Sequence, residues 1–173
     1  MRSWREFEGV DLLFRQDGAV RLDSSLYAGD EVVATLRWAN WYGTLAAAEC
    51  ADGSWTFKRS GFLRPRVSVR TPGQESEVAV FLPDWHGDGA LDFVGGRRFS
   101  FVHTNFWHSQ WAWKSAAGET LVQLKPRLTL LHSAADVVLG AAAGPLAETP
   151  LLVLLAWYLM QLMASDAAVA AAG

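Results

Sequence analysis

PLLVLLAWYLMQLMA, residues 150–164, is the longest apolar run in the chain and decides how the rest is read. Apart from Gln161, every position on every face is apolar or small, so a helix built from it has no side to offer water and must be surrounded. Thr149 followed by Pro150 reads as a helix start, with Thr capping free N–H groups and Pro occupying a position where a donor is not needed. At about 1.5 Å per residue the run extends roughly 22 Å, short of the ~20 residues that usually cross a bilayer. The expectation is a buried core helix, ahead of a tail-anchor membrane span or a partner-binding helix. The tail, residues 165–173, is mostly Ala and is expected to fray.

Outside that run the composition favours strands. With 173 residues the chain has the length of one domain, residues 1–173, large enough to bury a core without disulfides. A hydrophobic share of 51% against 19% charged is that of a folded chain, and nine Trp with nine Phe favour β structure. Cys50 is the single cysteine, which excludes an internal disulfide framework and a Cys-based zinc site. The opening MRSWREFEGVDLLFRQ mixes charges among apolar residues, unlike a signal or transit peptide, so a cytoplasmic location is expected. A net charge of −3 argues against nucleic acid as a partner, because phosphate neutralisation requires an excess of Lys and Arg.

From Trp4 to about His132 short apolar runs alternate with turn residues, and no segment sustains a 3.6-residue period. Strands are expected at 4–8, 10–15, 19–23, 31–38, 44–50, 54–59, 66–70, 77–82, 90–94, 97–103, 108–114 and 119–125, with another within 127–132 or 135–139. Joints such as Gly29-Asp30, Pro72-Gly73, Gly87-Asp88-Gly89 and Gly95-Gly96 mark tight hairpins. Alternation assigns Trp55/Phe57, Val67/Val69, Val78/Val80/Leu82, Leu91/Phe93, Phe99/Phe101 and Trp111/Trp113 to one dry face. A sheet of about twelve strands with one apolar face has to curl, and a barrel of that size is too wide to be filled by its own side chains. A helix about 10–12 Å across supplies the filling. The expected fold is therefore mainly β: a closed antiparallel barrel of about twelve strands around a central hydrophobic C-terminal helix at 150–164.

This order of parts resembles the tubby C-terminal-like superfamily, which includes tubby domains, phospholipid scramblases and the LURP-one-related proteins. The likeness is carried by the run of strands, ADGSWTFKRSGF at 51–62, GGRRFSFVHTNFWHSQWAWKSAAGETLVQL at 95–124 and the closing apolar helix. It implies a barrel threaded by that helix and, in some members, binding to membrane phosphoinositides. The basic strand motif of the tubby site has no residue-by-residue match in this chain. The acidic calcium-binding segment, cysteine-rich stretch and proline-rich region of scramblases are missing, so the resemblance does not carry scrambling activity.

No catalytic motif stands out. Asp84, His86 and Asp88 alternate along one loop and would offer metal ligands, but a polar turn is the better reading because no second ligand group accompanies them. His103 and His108 flank a Trp-rich stretch that reads as core or rim packing rather than a base-stacking platform. Cys50, in an Ala-rich strand, reads as a small buried thiol. GxSxG, P-loop, Rossmann and HExxH patterns are absent, so the expectation is no enzyme, no cofactor and no metal. The one uneven charge feature lies between Gly53 and Gln74, where Lys58, Arg59, Arg64, Arg66 and Arg70 occur without an acid. It reads either as the solvated side of a barrel or as a docking stripe, each cation being worth about 1 kcal/mol against an anionic membrane. The expected role is a non-catalytic tubby-like domain binding anionic phospholipid headgroups or a protein partner. The alternatives are a tail-anchored protein that inserts 150–164 and a carrier of a small apolar ligand.

Overall fold

The computed structural model describes residues 3–7, 9–18, 22–104, 109–127 and 133–173. It is a closed antiparallel barrel of twelve strands with one helix along its axis. The strands are β1 (Leu12–Gln16), β2 (Ser24–Ala28), β3 (Glu31–Trp38), β4 (Ala46–Cys50), β5 (Gly53–Ser60) and β6 (Arg66–Arg70), then β7 (Glu77–Pro83), β8 (Gly89–Phe93), β9 (Arg98–His103), β10 (Trp111–Lys114), β11 (Thr120–Arg127) and β12 (Ala134–Leu139). Each pairs with its neighbours in sequence. β12 closes the ring on β1, with Leu12 opposite Val137 and Phe14 opposite Ala135.

The helix α1 (Thr149–Ala172) starts at one end of the barrel, here the root, and emerges at the other, here the crown. From Leu151 to Leu159 every side chain is buried, as are Gln161 and Leu162. The wall makes room by alternating small and large inward residues. Ala34, Ala46, Ala48, Ala79 and Ala135 are at most 1% exposed beside Phe14, Phe57, Phe81, Phe101 and Trp113. Rings meet the helix from several sides: Phe14 of β1 stacks on Trp157 at 4.9 Å, and Trp38 of β3 stacks on Tyr158 at 5.1 Å. From β10, the Trp113 indole N–H donates to the Leu152 carbonyl at 2.7 Å. Burial of these large apolar surfaces is the main stabilising contribution, at about 25 cal/mol per Å² removed from water.

Several expectations are corrected. Residues 4–7 form a 3-10 turn, not a strand; it places Trp4 and Phe7 over the root, where the Trp4 N–H and Ser3 hydroxyl donate to Asp52. The expected strand at 19–23 lies partly outside the described residues, and the strand formed is β2, Ser24–Ala28, whose Ser24 and Ser25 are buried. Of the two sites offered for the last strand, 135–139 is the one used; 128–132 lies outside the described residues. In β7 the dry face is Ala79 and Phe81, while Leu82 is 50% exposed, the reverse of the expected Val78/Val80/Leu82 face. Pairing sets this facing: Val69 lies opposite Ala79 and Phe81 opposite Leu91, which fixes Ala79 and Phe81 to the inner layer. Gly89 is needed beside them, because a Cβ there would lie 2.5 Å from both the Leu82 carbonyl oxygen and the Phe81 ring.

The helix is also longer than expected and starts differently. Thr149 is already helical, and its hydroxyl donates to the Ala143 carbonyl at 2.6 Å instead of capping. The tail at 165–173 does not fray, since the helix runs to Ala172. Ala is the best helix former, and a helix already nucleated inside the barrel extends through it at little cost. A helix of 24 residues spans about 36 Å. Strands of 4–8 residues, tilted as barrel strands are, make a wall only about 10–20 Å tall. The last turns must therefore project from the crown.

Candidate functional site

The antiparallel order assigns every connection to an end. At the root, two residues link β2 to β3 and two link β4 to β5. The root also carries 71–76, 94–97, 115–119 and 140–148, and the crown carries 17–23, 39–45, 61–65, 84–88 and 104–110, together with the projecting end of α1. Long loops on a rigid scaffold are where binding residues usually concentrate.

Polar groups of the helix are matched to this end. The Tyr158 hydroxyl donates to the Thr44 carbonyl and accepts the Arg59 N–H at 3.2 Å, tying the β3–β4 loop and β5 to the axis. Burial pushes its ionisation well above the ordinary tyrosine range. The buried Gln161 amide donates to the Leu22 carbonyl at 3.0 Å and to the Ser24 hydroxyl at 2.9 Å, and accepts the Trp38 indole N–H at 3.1 Å. Thus the polar atoms of Tyr158 and Gln161 have partners, as burial demands, whereas the buried Trp157 indole N–H has none among the described residues.

The five cations of the stripe do not form one surface. Arg59 turns toward the mouth of the barrel, where both guanidinium NH2 groups bond Asp166 on the emerging helix; those bonds raise its pKa. Arg66 and Arg70 share Glu77 of the next strand. A bond from the Ser68 hydroxyl, then the charges of Arg66 and Arg70, hold the Glu77 carboxyl below the usual carboxylate range. Lys58 lies exposed on the outer face of β5, and Arg64 lies exposed in the β5–β6 turn rather than on a strand. Among the described residues neither is in an ion pair. Arg37, outside the span singled out in the sequence, is a third exposed cation on the crown half of β3 without an ion pair there.

What the strand reading missed is aromatic. Among the described residues every exposed aromatic side chain lies at the crown: Trp41 at 87%, Tyr42 at 76%, Phe62 at 99% and Trp85 at 99%, with Leu63 at 87% beside Phe62. They occupy the tips of the β3–β4, β5–β6 and β7–β8 connections, which are neighbours around the rim. Each tip is pinned. The Ala39 N–H donates to the Leu45 carbonyl and the Thr44 hydroxyl to the Arg59 carbonyl. The Asp84 N–H donates to the Asp88 carbonyl while the His86 N–H donates to the Asp84 side chain. At the β5–β6 tip, Gly61 adopts φ +86°, and a Cβ there would collide with the Arg64 carbonyl oxygen. The signal available in the sequence was large apolar residues inside turn segments, Trp41-Tyr42, Phe62-Leu63 and Trp85, where polar residues are the rule.

The remaining candidates resolve into packing. Asp84 is engaged by His86, and Asp88 accepts the His103 N–H at 2.9 Å, so the alternating Asp-His-Asp loop does not converge on one point. Among the described residues no cluster of three metal-ligating side chains forms. The His103 ring packs on Trp111 at 3.7 Å, and His108 lies outside the described residues. Cys50 is buried at the root, and burial raises its thiol pKa, which disfavours the nucleophilic thiolate. Two spaces flank the emerging helix: a cavity of about 510 Å³ walled by Trp157, Met160, Pro126 and Ala134, and one of about 200 Å³ beside Arg59, Phe81 and Met163.

No protein family, curated protein or solved structure matches this chain.

Proposed function

We propose that this chain is a non-catalytic, cytoplasmic binding domain of the tubby-like kind that docks reversibly on anionic phospholipid headgroups. The observation that carries the reading is the placement of Lys58 and Arg64, exposed and without an ion pair among the described residues, beside the crown. Arg59, Arg66 and Arg70 contribute less than the sequence suggested, because Asp166 offsets Arg59 and Glu77 offsets one of the two charges of Arg66 and Arg70. Two or three free cations, each worth about 1 kcal/mol near an anionic surface, give weak, salt-sensitive association. Flotation with vesicles containing an anionic lipid tests this. Binding that falls with added salt and is lost in Lys58→Glu/Arg64→Glu supports it; binding unchanged by charge reversal overturns it.

A tail-anchored protein is the second reading, favoured by the length of α1, 24 residues, and a mean hydropathy of 1.6 over an 18-residue stretch of it. Insertion would require the helix to leave the barrel and strip the wall of the surface it covers. Carbonate extraction separates the two: release into the supernatant rejects an inserted helix. The carrier reading would have to use the 510 Å³ space beside the helix, since the axis of the barrel is occupied.

A further inference from the structure

The geometry points to the crown tips as a membrane-inserting surface: Trp41, Tyr42, Phe62, Leu63 and Trp85 enter the boundary between headgroups and acyl chains of an anionic bilayer. The helix-emergence end then faces the membrane and the root faces away. This rests on the lipid-docking reading above and adds which end meets the bilayer and what enters it.

Three observations carry it. The exposed aromatic rings are not scattered, as single surface apolar residues ordinarily are; among the described residues they share one end of the barrel. The β3–β4 and β7–β8 tips are held by backbone and side-chain hydrogen bonds and the β5–β6 tip turns at Gly61 with φ +86°, so the rings are presented to solvent instead of collapsing onto the core. Trp41 and Tyr42 meet edge to face at 5.5 Å, forming a paired wedge. The third observation is charge, which selects the occupant. Arg64 follows Phe62 and Leu63 in the same turn, and Lys58 and Arg37 lie just behind on the outer wall. Meanwhile the crown acids are engaged from within the fold: Asp166 by Arg59, Asp88 by His103, Asp84 by the His86 N–H, Asp17 by the Ser25 hydroxyl and Asp23 by the Trp38 N–H. Apolar and amphipathic rings at the tips with cations set behind them is the order in which a membrane presents its partners, hydrocarbon first and anionic headgroups outside.

The test labels the two ends with an environment-sensitive dye, one at Leu63→Cys on the crown and one at Val94→Cys on the root, both sites being more than three-quarters exposed, at 87% and 78%. Cys50 is buried, and a Cys50→Ala background removes it if it labels. Vesicles of phosphatidylcholine with phosphatidylserine are compared with vesicles carrying brominated acyl chains. The expected result is a blue shift and bromine quenching at position 63, neither at position 94, and a loss of roughly tenfold or more in vesicle affinity for Phe62→Ser/Trp85→Ser with an unchanged melting temperature. Binding to vesicles with position 63 left unquenched overturns insertion while leaving the headgroup reading intact. Absence of any vesicle binding by the unsubstituted protein overturns both. Self-association in sedimentation that disappears in Phe62→Ser/Trp85→Ser, without vesicle binding, assigns the crown to a second copy and overturns the membrane.

Discussion

One helix serves two environments. From Leu151 to Leu162 α1 is enclosed on all sides, except for the part-exposed Met160, while from Ala164 to Ala172 it is exposed. The side chains differ between the two halves: Leu, Val, Trp and Tyr fill the barrel, and Ala, with Ser165 and Asp166, continues beyond it. Large residues supply the buried area that holds the wall closed, whereas Ala supplies only helix propensity. The same division separates the root, with its buried Trp4 and Phe7, from the crown, with its exposed rings. The large buried side chains line the axis, and among the described residues the exposed aromatic side chains collect where the axis comes out.

Substitutions that discriminate the two halves follow in order of size. Leu155→Ala, at 0% exposure, empties part of the core and is expected to cost about 2–5 kcal/mol in denaturant unfolding. A loss below about 1 kcal/mol would place this residue outside a packed interior. Tyr158→Phe keeps the ring but strands the Arg59 N–H and the Thr44 carbonyl at the crown mouth, for an expected loss of about 1–3 kcal/mol. The wall supplies a smaller effect that divides the cationic stripe into its paired and unpaired members. Glu77→Gln is expected to cost about 0.5–1 kcal/mol at neutral pH, against no measurable change for Lys58→Ala. Because the folded-state pKa of Glu77 is depressed, its contribution is fully present above the unfolded value of roughly 4.3 and disappears as pH falls through the lowered one. The cost of Glu77→Gln should accordingly shrink below about pH 4, which chemical denaturation across pH would read. Smallest of all, removing residues 167–173 should change stability by about 0.5 kcal/mol or less, since Asp166 and its bond to Arg59 remain.

The axis was legible because no other segment is apolar on every face, and a curled sheet with a dry side is the partner such a helix requires. Strand positions followed from alternation wherever large residues alternate with polar ones, as in β9 and β10. In β7 the cue inverted, because Val78, Val80 and Leu82 outweigh Ala79 in hydrophobicity while pairing and the space beside the helix select Ala79 and Phe81. β2 was obscured by Ser24 and Ser25, which read as turn residues until Gln161 and Asp17 give them buried partners. The helical tail was hidden by the same Ala residues that, in isolation, have nothing to pack against. The site was less legible than the fold. Charge counting found the stripe but not Glu77 and Asp166, which come from other elements and neutralise two of its five charges. The crown rings sit in turns on separate hairpins, and the side-by-side antiparallel order of β3 to β8 brings those turns to one rim.

The enclosed axle is tested most directly by nuclear Overhauser contacts from side chains of α1 to rings around the circumference. Contacts are expected from Trp157 to Phe14 of β1, from Tyr158 to Trp38 of β3 and Phe57 of β5, and from the Leu152 turn to Trp113 of β10, four strands spread around the barrel. A helix surrounded by the wall produces all of them together. Contacts confined to one run of adjacent strands would place the helix on the outside of the sheet and contradict the account.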